Sequence, residues 1–387
     1  MFTLISVLII FFKSDQGLLN KFLPAFIFTS AFYNLSVIFV FSFMELLLFL
    51  YIALGLIIIL YKDYRINFYL LFLSTLSISF LIIGVLLSLN PFETFINILN
   101  LIVLIMVIFI TSTLVGNIKQ SFNIKNMINM YILVCISLSI GLIFQFSMHL
   151  FSIDFGQIFY YKDRIIFNLY FISKSTLSAF ISSGAIIILI RLYKNLRLKY
   201  LLILLILLCG NIINTSRTGI VVMIVIFSLY VIFNTKYIFK NYKTSILILS
   251  VILVFSVSAN LLLSSRTSSL FDDNGRFDLI IQSKEVLKDN FFLGIGSSWA
   301  DLQEYGIFIE LHNFVLQYLL QMGVIVIVSL ILLLIYVGHK LKNSEFIYVF
   351  LFICLIGNFY TYWHNSLFIN VLIILGILCA RKNYKYL

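Results

Sequence analysis

The sequence has little of what a water-soluble domain of its length needs on its surface. Charged residues make up 11% of the 387 residues, whereas a soluble domain carries roughly 25%. There are two prolines and no polar linker, which excludes a separate aqueous domain of ordinary size. Hydrophobic residues make up 62% of the chain and the mean hydropathy is +1.13. The composition therefore predicts an integral membrane protein.

Cysteine is also scarce, and its placement excludes two kinds of site. The four cysteines, Cys135, Cys209, Cys354 and Cys379, all fall inside apolar runs. None lies in a predicted water-facing loop, which argues against a disulfide framework and against a cysteine metal site. We expect these side chains to pack between helices as small hydrophobic groups.

Long apolar runs are what the sequence has instead. A membrane-spanning helix needs about 20 mostly apolar residues, and the run 22–61 is long enough for two, with a break near residues 34–42. The other predicted spans are 66–88, 92–115, 127–150, 173–193, 199–214, 217–233, 244–263, 312–338, 346–362 and 366–380. The sequence thus predicts one all-α transmembrane domain over residues 1–387, with about 12 spans.

The basic residues separate the predicted loops into two sets. One set carries 18 of the 26 Lys and Arg residues and a net charge of +15. The other carries 8 and, with Glu93 at the start of the next span counted with it, has a net charge of −3; Glu45 lies inside an apolar run. The basic set is 13–21, 61–65, 117–126, 191–199, 234–243, 339–345 and 381–387, and the other set is 89–91, 151–174, 214–218, 264–311 and 363–366. Positive loops stay in the cytoplasm. Both termini are therefore predicted to be cytoplasmic, and the net charge of +11 reflects topology rather than nucleic-acid binding.

Two predicted outer loops are longer than a hairpin, 151–174 and 264–311. In the longer loop, Asp272, Asp273 and Asn274 can cap a helix, and the apolar residues that follow fit an amphipathic helix on the membrane surface. Those residues are Phe277, Ile280, Ile281, Val286 and Leu287. Gly294 and Gly296 predict a bend, a short loop follows, and His312 and Asn313 open a long apolar helix.

The predicted outer face gathers cations beside a histidine. They are Arg164, Lys174, Arg217, Arg266, Arg276 and His312. A guanidinium group binds phosphate oxygens in a bidentate manner and keeps its charge. A histidine near its reference pKa can accept a proton from a sugar hydroxyl. The pattern predicts a diphosphate site next to a general base.

Several candidate residues also have a simpler interpretation. Arg217 can be an interfacial anchor, and Arg276 can pair with a neighbouring aspartate. His364, in the outer turn "TYWHNS", can belong to an aromatic belt or line an acceptor groove. The pair Asp272–Asp273 can bind a metal ion or cap a helix, and Glu45 is either functional or placed at the outer break between the first spans.

Several motifs together resemble one known family. The turn "TSRTG" at 215–219 resembles the Ser-Arg-Xaa-Gly/Ala turn of the O-antigen polymerase and O-antigen ligase superfamily. The outer loop "GRFDLIIQSKEVLKDNFFLGIGS", followed by "LHNFVLQYLLQMG", resembles that family's order of arginine, amphipathic helix, Gly-x-Gly, His-Asn and glycine. The proline that usually precedes the first glycine is replaced by the two phenylalanines at 291–292. The motifs cover roughly residues 170–340.

The resemblance implies a glycosyltransferase of the bacterial cytoplasmic membrane with a multi-span fold of the GT-C type. It would transfer a glycan from a polyprenyl diphosphate carrier at the outer face, with no nucleotide sugar, cofactor or metal. By analogy Arg217 and Arg276 hold the diphosphate and His312 acts on the acceptor hydroxyl. The implied substrate contacts are Arg266, Arg164, Lys174, Asn313 and His364.

The resemblance leaves the acceptor open. A capsular or O-antigen polymerase (Wzy class) adds the chain to the next lipid-linked repeat, whereas an O-antigen ligase adds it to lipid A–core. We favour the polymerase, because the low-charge composition rich in Phe, Ile, Asn and Lys resembles AT-rich sugar-cluster genes. A lipid-linked oligosaccharide flippase without chemistry is the alternative from another class. The implied partners are the lipid-linked oligosaccharide, membrane lipid and a chain-length regulator protein.

Overall fold

The protein is described here from a computed structural model. The structure describes residues 18–30, 36–38, 41–117, 123–161, 164–169, 174–214, 217–234, 276–307, 313–357 and 367–381. These form 13 helices and two short hairpins. The helices are α1 (Leu18–Thr29), α2 (Phe43–Tyr61), α3 (Phe68–Leu87), α4 (Pro91–Asn117), α5 (Ile124–Leu150), α6 (Lys174–Lys194), α7 (Leu198–Ile213), α8 (Arg217–Phe233), α9 (Arg276–Asn290), α10 (Trp299–Glu304), α11 (Phe314–Leu341), α12 (Phe346–Gly357) and α13 (Phe368–Arg381). The strands are β1 (Ser36–Ile38), β2 (Phe41–Ser42), β3 (Ile158–Tyr161) and β4 (Arg164–Phe167).

Six of these helices, α2 to α6 and α11, are long and apolar enough to cross a membrane. A helix satisfies all of its backbone polar groups within one segment, which is why apolar runs in lipid adopt it. Shorter apolar helices, α7, α8, α12 and α13, complete the bundle. The prediction of a helical, multi-pass membrane protein is therefore confirmed.

The first 60 residues are described only in part. The predicted break falls between α1 and α2, where β1 pairs with β2 in an antiparallel manner. Helix α1 covers 12 described residues, and residues 1–17 and 31–35 on either side of it lie outside the described part. Two full spans over 22–61 therefore stay a prediction. The predicted span 244–263 lies outside the described residues.

Helix α6 is the most enclosed span: 89% of the residues in its apolar window are buried. It packs against α5, α7, α8 and α12. Small residues allow the close approach, since a Cβ atom added at Gly184 would lie 2.7 Å from Cys135 Sγ. Cys135 is fully buried, as expected of a small hydrophobic residue between helices.

Contacts divide the helix ends into two groups that match the two predicted loop sets. Asn117 and Arg65 bond to each other, and Lys194 forms an ion pair with Glu345; all four belong to the basic set. We call this the inner end. Asp301 bonds to Ser88 at the opposite end, which we call the outer end. The orientation of these ends in the membrane rests on the charge argument.

The outer loop 151–174 contains a hairpin, which the all-α prediction did not include. β3 and β4 pair in an antiparallel manner with Ile158 opposite Phe167 and Tyr161 opposite Arg164. Gln145 of α5 fastens the base of this hairpin: its Nε2 donates to the Gln157 carbonyl at 3.1 Å and its Oε1 accepts from Leu169 N at 3.1 Å. The hairpin is thus fixed to the bundle rather than free in solvent.

Candidate functional site

The turn that carries Arg217 is held by close helix packing. Helix α8 begins at Arg217, and two residues later Gly219 faces α6. A Cβ atom at Gly219 would collide with Ser178 Oγ and lie 2.7 Å from Ser182 Oγ. Only glycine permits this approach. The glycine of "SRTG" therefore sets the position at which α8 starts.

A buried polar cluster supports the same turn from α7. Asn211 Oδ1 accepts from Ser178 Oγ at 3.0 Å, and Asn211 Nδ2 donates to Ser182 Oγ at 3.1 Å. These three side chains are fully buried. Because buried polar groups rigidify a structure when they are hydrogen-bonded, the cluster fixes α6, α7 and α8 together one turn below Arg217.

Asn214 ends α7 and joins the turn to the hairpin. Its Nδ2 donates to the Phe167 carbonyl at 3.0 Å. Its Oδ1 is buried and has no hydrogen-bond partner within the described part of the chain. Lys174 begins α6, and Arg164 lies at the hairpin tip opposite Tyr161.

Three glycines lock the outer loop onto a break in α11. Gly294, Gly296 and Gly323 all have positive φ, at 73°, 95° and 77°, where L side chains are disfavoured. A Cβ atom at Gly323 would collide with the Phe292 carbonyl oxygen, and one at Gly294 with the backbone of Gln321. The predicted bend at Gly294 and Gly296 is therefore confirmed.

The break leaves backbone groups of α11 without their usual helical partners, and the loop supplies replacements. Ile295 N donates to the Leu320 carbonyl at 2.9 Å, and Gly296 N donates to the Gln321 carbonyl at 3.0 Å. In return, Val324 N donates to the Phe291 carbonyl at 2.9 Å. A broken helix inside a membrane protein is tolerated where neighbouring backbone satisfies its polar groups.

The loop that follows is a short helix, α10, which the sequence reasoning missed. Ser298 caps it through a capping box in which Ser298 Oγ accepts from Asp301 N and Asp301 accepts from Ser298 N. The sequence signal was present in "SWAD" at 298–301, because Ser-x-x-Asp is a capping pattern. Trp299 N also donates to Glu93 Oε1 at 2.9 Å, which ties α10 to α4.

Asp301 is the most strongly bonded carboxylate among the described residues. It is 2% exposed and accepts five hydrogen bonds, from Ser88 Oγ, Leu89 N, Thr94 Oγ1, Ser298 N and Ser298 Oγ. Burial alone would raise the pKa of this carboxyl group, but the bonds from Ser88, Ser298 and Leu89 outweigh it and hold the pKa below its usual value. Asp301 thus stays ionised and anchors the glycine loop to the α3–α4 turn.

The predicted amphipathic helix is present as α9, and the apolar residues of its C-terminal half pack against protein. Leu287, Ile295, Leu302, Ile307 and Leu320 form a small buried cluster, with Val286 packed against it. Ile281 is 60% exposed. Helix α9 therefore docks on α11 through its C-terminal half. The predicted caps Asp272, Asp273 and Asn274, and the side chains of Phe277 and Ile280, lie outside the described residues.

Asn313 begins the helix that follows His312. Its Oδ1 accepts from Leu316 N at 3.0 Å and thereby caps α11. The predicted helix start is confirmed at Asn313 by this contact. The immediate neighbour of the cap on the N-terminal side is His312, which lies outside the described residues.

The structure describes the predicted site residues only in part. The backbones of Arg217 and Arg276 form the first residues of α8 and α9, and their side chains lie outside the described part, as do Arg266, His312 and His364. The side chains of Arg164 and Lys174 are likewise outside it. The convergence of Arg217, Arg276 and His312 stays a prediction.

Geometry accounts for Glu45, and it gives a partner to a histidine at the outer end. Glu45 completes a capping box with Ser42, accepting from Ser42 N at 2.7 Å, so a local structural role accounts for this carboxylate. His149 contacts Asp154 at 2.8 Å at the outer end. Among the described residues, no group of three or more His, Cys, Asp or Glu side chains is arranged to hold a metal ion; Asp272 and Asp273 lie outside them.

Comparison with known proteins identifies a family that part of the chain resembles. No curated protein matches the chain. Residues 202–331 match the family model described as O-antigen ligase. The matched range includes both motif regions, the Arg217 turn and the glycine-locked loop with its broken helix. Over residues 202–331 the chain is similar to the O-antigen ligases.

Proposed function

We propose that the protein is a bacterial membrane glycosyltransferase with a GT-C-like arrangement of about 12 spans. It transfers a growing glycan from polyprenyl diphosphate to a lipid-linked repeat unit at the outer face of the cytoplasmic membrane. The observation that carries this proposal is the common placement of two motifs at the outer end. The Ser-Arg-Thr-Gly turn is fixed by Gly219, and the Gly-x-Gly loop is fixed on the break of α11.

The proposed chemistry needs only side chains and a lipid carrier. The acceptor hydroxyl oxygen forms a bond to the anomeric carbon of the donor glycan, while His312 takes the hydroxyl proton. The bond from that carbon to the diphosphate oxygen breaks, and its electron pair stays on the diphosphate. Arg217 and Arg276 stabilise this growing charge; loss of one such preorganised donor costs about 2.7–4 kcal/mol of barrier. No metal or nucleotide takes part.

The lengths of α7 and α8 suit an arginine at headgroup depth. The two helices have 16 and 17 residues and rise about 24–26 Å, a little less than the hydrocarbon core of a bilayer. In this proposal Arg217, the first residue of α8, lies at the interface rather than above it. A polyprenyl diphosphate places its tail in the bilayer and its charge at the same depth.

The supporting substrate contacts are Arg266, Arg164, Lys174, Asn313 and His364. Of these, Asn313 already uses its Oδ1 atom to cap α11, so the Nδ2 group is the one proposed to meet substrate. The ligase reaction, with lipid A–core as acceptor, is the second candidate because the matching family model is described as O-antigen ligase. A chain-length regulator protein is a proposed partner of the polymerase.

A flippase without chemistry fits less well. Transporters place charged residues near the middle of several spans. In the described spans the charges gather at helix ends, and Glu45 serves as a local cap.

The proposal is tested by the surface polysaccharide of a deletion strain. One repeat unit on the core indicates a polymerase, whereas no repeat with accumulating lipid-linked polymer indicates a ligase. In complementation, His312→Ala and Arg217→Ala should each abolish long-chain glycan on a gel, because each removes a group that acts on the reacting atoms. His149→Ala and Lys288→Ala, both at the outer end, are matched controls and should restore it. Normal modal chain lengths in both site variants would remove the catalytic assignment.

A further inference from the structure

A basic cavity of about 520 Å³ opens at the inner end between α5, α6 and α7. Four cations line it, Lys125, Arg191, Arg197 and Lys199, together with Asn129 and Tyr200, and no carboxylate is among its lining residues. The cavity is far along the bundle from the outer-end site and plays no part in the transfer reaction proposed above.

The charge of this cavity has little local compensation. Segments 117–129 and 191–199 contain six Lys and Arg residues and no Asp or Glu. Lys194 is paired with Glu345, and Arg191 donates to Asn129 Oδ1 at 2.8 Å, which holds its guanidinium in place. The cavity therefore has a fixed arginine at its back and a positive rim.

Helix polarity adds to this positive potential. Helices α5 and α7 both begin at the cavity, at Ile124 and Leu198, and a helix N-terminus carries partial positive charge. Helix α6 ends there with Arg191 in its last turn, where a cation is favoured, so the two N-termini are the positive ends. Arg197 is the N-cap of α7 and makes no side-chain cap hydrogen bond. Cations at a helix N-terminus are repelled by the partial positive charge of the helix end. An anion bound in the cavity would reduce this repulsion.

A second basic cavity at the inner end provides the contrast. It has a volume of about 480 Å³ and is lined by Arg65, Lys340 and Arg381. The C-terminal ends of α4, α11 and α13 and the N-terminus of α3 surround it. Each cavity has one lysine over a tyrosine ring: Lys340 lies 5.4 Å from the centre of the Tyr336 ring here, and Lys199 lies 5.1 Å from that of Tyr200 in the first cavity. Cations at helix C-termini complement the dipole without any ligand. Basic residues are common at the inner end, so the difference between the cavities is the helix end: Lys340 and Arg381 lie at C-termini, whereas Arg197 and Lys199 lie at the N-terminus of α7.

The wall of the first cavity is apolar below its basic rim. Ile132, Ile136, Ile188 and Ile203 line it, and Leu133 at its edge is 60% exposed, on a bundle surface where lipid is expected. A ligand with a phosphate at one end and hydrocarbon at the other matches both parts. We propose that this cavity binds an anionic phospholipid of the inner leaflet, with the phosphate at Arg191, Arg197 and Lys199 and an acyl chain along the isoleucine wall.

The test compares two double variants of the full-length protein that lose the same charge at the same end. Arg197→Gln/Lys199→Gln removes two cations from the proposed site, and Arg65→Gln/Lys340→Gln removes two from the second cavity. The binding of phosphatidylglycerol is measured by native mass spectrometry and by titration in phosphatidylcholine nanodiscs. We expect the first variant to lose about 30-fold in apparent affinity, since one basic residue near an anionic membrane surface contributes about fivefold. The second should lose less than about threefold.

Three results would overturn the proposal. They are an equal loss in both double variants, no loss in either, or displacement of phosphatidylglycerol by soluble glycerol phosphate at matched concentration, which would indicate a small-anion site without a lipid. If Arg197→Gln/Lys199→Gln does not fold, Lys125→Gln replaces it, with an expected loss of about fivefold. Unchanged affinity in that variant contradicts the proposal as well.

Discussion

At the scale of single residues, positions with a structural role lie next to positions with a proposed catalytic role. Asn313 holds the start of α11 through its Oδ1, next to the proposed base His312. Gly219 has no side chain, and this allows α8 to start in close contact with Ser178. The positions most informative about function are therefore those where a packing role and a substrate role can be separated by substitution.

Asn313 permits such a separation. Asn313→Ala removes the cap and should lower the free energy of unfolding by about 0.5–2 kcal/mol. Asn313→Ser retains a capping oxygen and should unfold like the wild type, yet it lacks the amide proposed to contact substrate. We expect a raised KM for the lipid-linked donor in Asn313→Ser, measured beside thermal unfolding in detergent. If Asn313→Ser has wild-type KM and kcat, Asn313 is a helix cap only.

Residue types were predictable from the sequence at this scale, but bonding partners were not. "LHNF" correctly predicted a helix start at Asn313, because asparagine is a common N-cap. Asp301 was overlooked because its partners Ser88, Leu89 and Thr94 lie about 210 positions earlier in the chain. Of its contacts, only the capping box with Ser298 involves a residue close to it in the sequence.

At the scale of elements, the outer loop and α11 form one unit. Gly323 has φ 77° and ψ 172°, a region that only glycine occupies readily, and other residues there cost about 1–3 kcal/mol. The Phe292 carbonyl fills the space that a Cβ atom would need. The glycine that follows His-Asn in the motif is thus a docking point for the loop and not a flexible hinge.

Gly323→Ala should therefore release the loop. We expect faster amide hydrogen exchange in peptides covering Ile295, Gly296 and Val324, whose N–H groups make the cross-bonds, and a loss of transfer activity. Gly116→Ala is the matched control, since a Cβ atom there meets nothing within 4 Å and alanine favours a helix. Unchanged exchange in Gly323→Ala would show that the loop is not held by this contact.

Long apolar runs and glycine pairs predicted most elements, and tertiary backbone contacts account for the rest. The spans 66–88, 92–115 and 127–150 correspond closely to α3, α4 and α5. The kink in α11 and the hairpin of β3 and β4 depend on hydrogen bonds between distant segments. Hydrophobic periodicity reports the burial of a segment and carries no information about such bonds.

At the scale of the whole molecule, the two ends of the bundle have different chemistry. The outer end combines buried polar locks, such as Asp301 and Asn211, with the motifs proposed to bind a diphosphate. The inner end carries the basic cavities. The charge bias predicts which end faces the cytoplasm. We therefore propose a lipid-linked glycan as the ligand at the outer face and an anionic phospholipid as the ligand at the inner face.

We propose that Arg217, Arg276 and His312 meet around one diphosphate at the outer end. An experimental structure of the full-length protein in a nanodisc with polyprenyl diphosphate bound would test this arrangement. We expect both guanidinium groups within hydrogen-bond distance of the diphosphate oxygens and the His312 ring facing the space beside them. A diphosphate bound at the inner end, or three side chains too far apart to share it, would contradict the proposal.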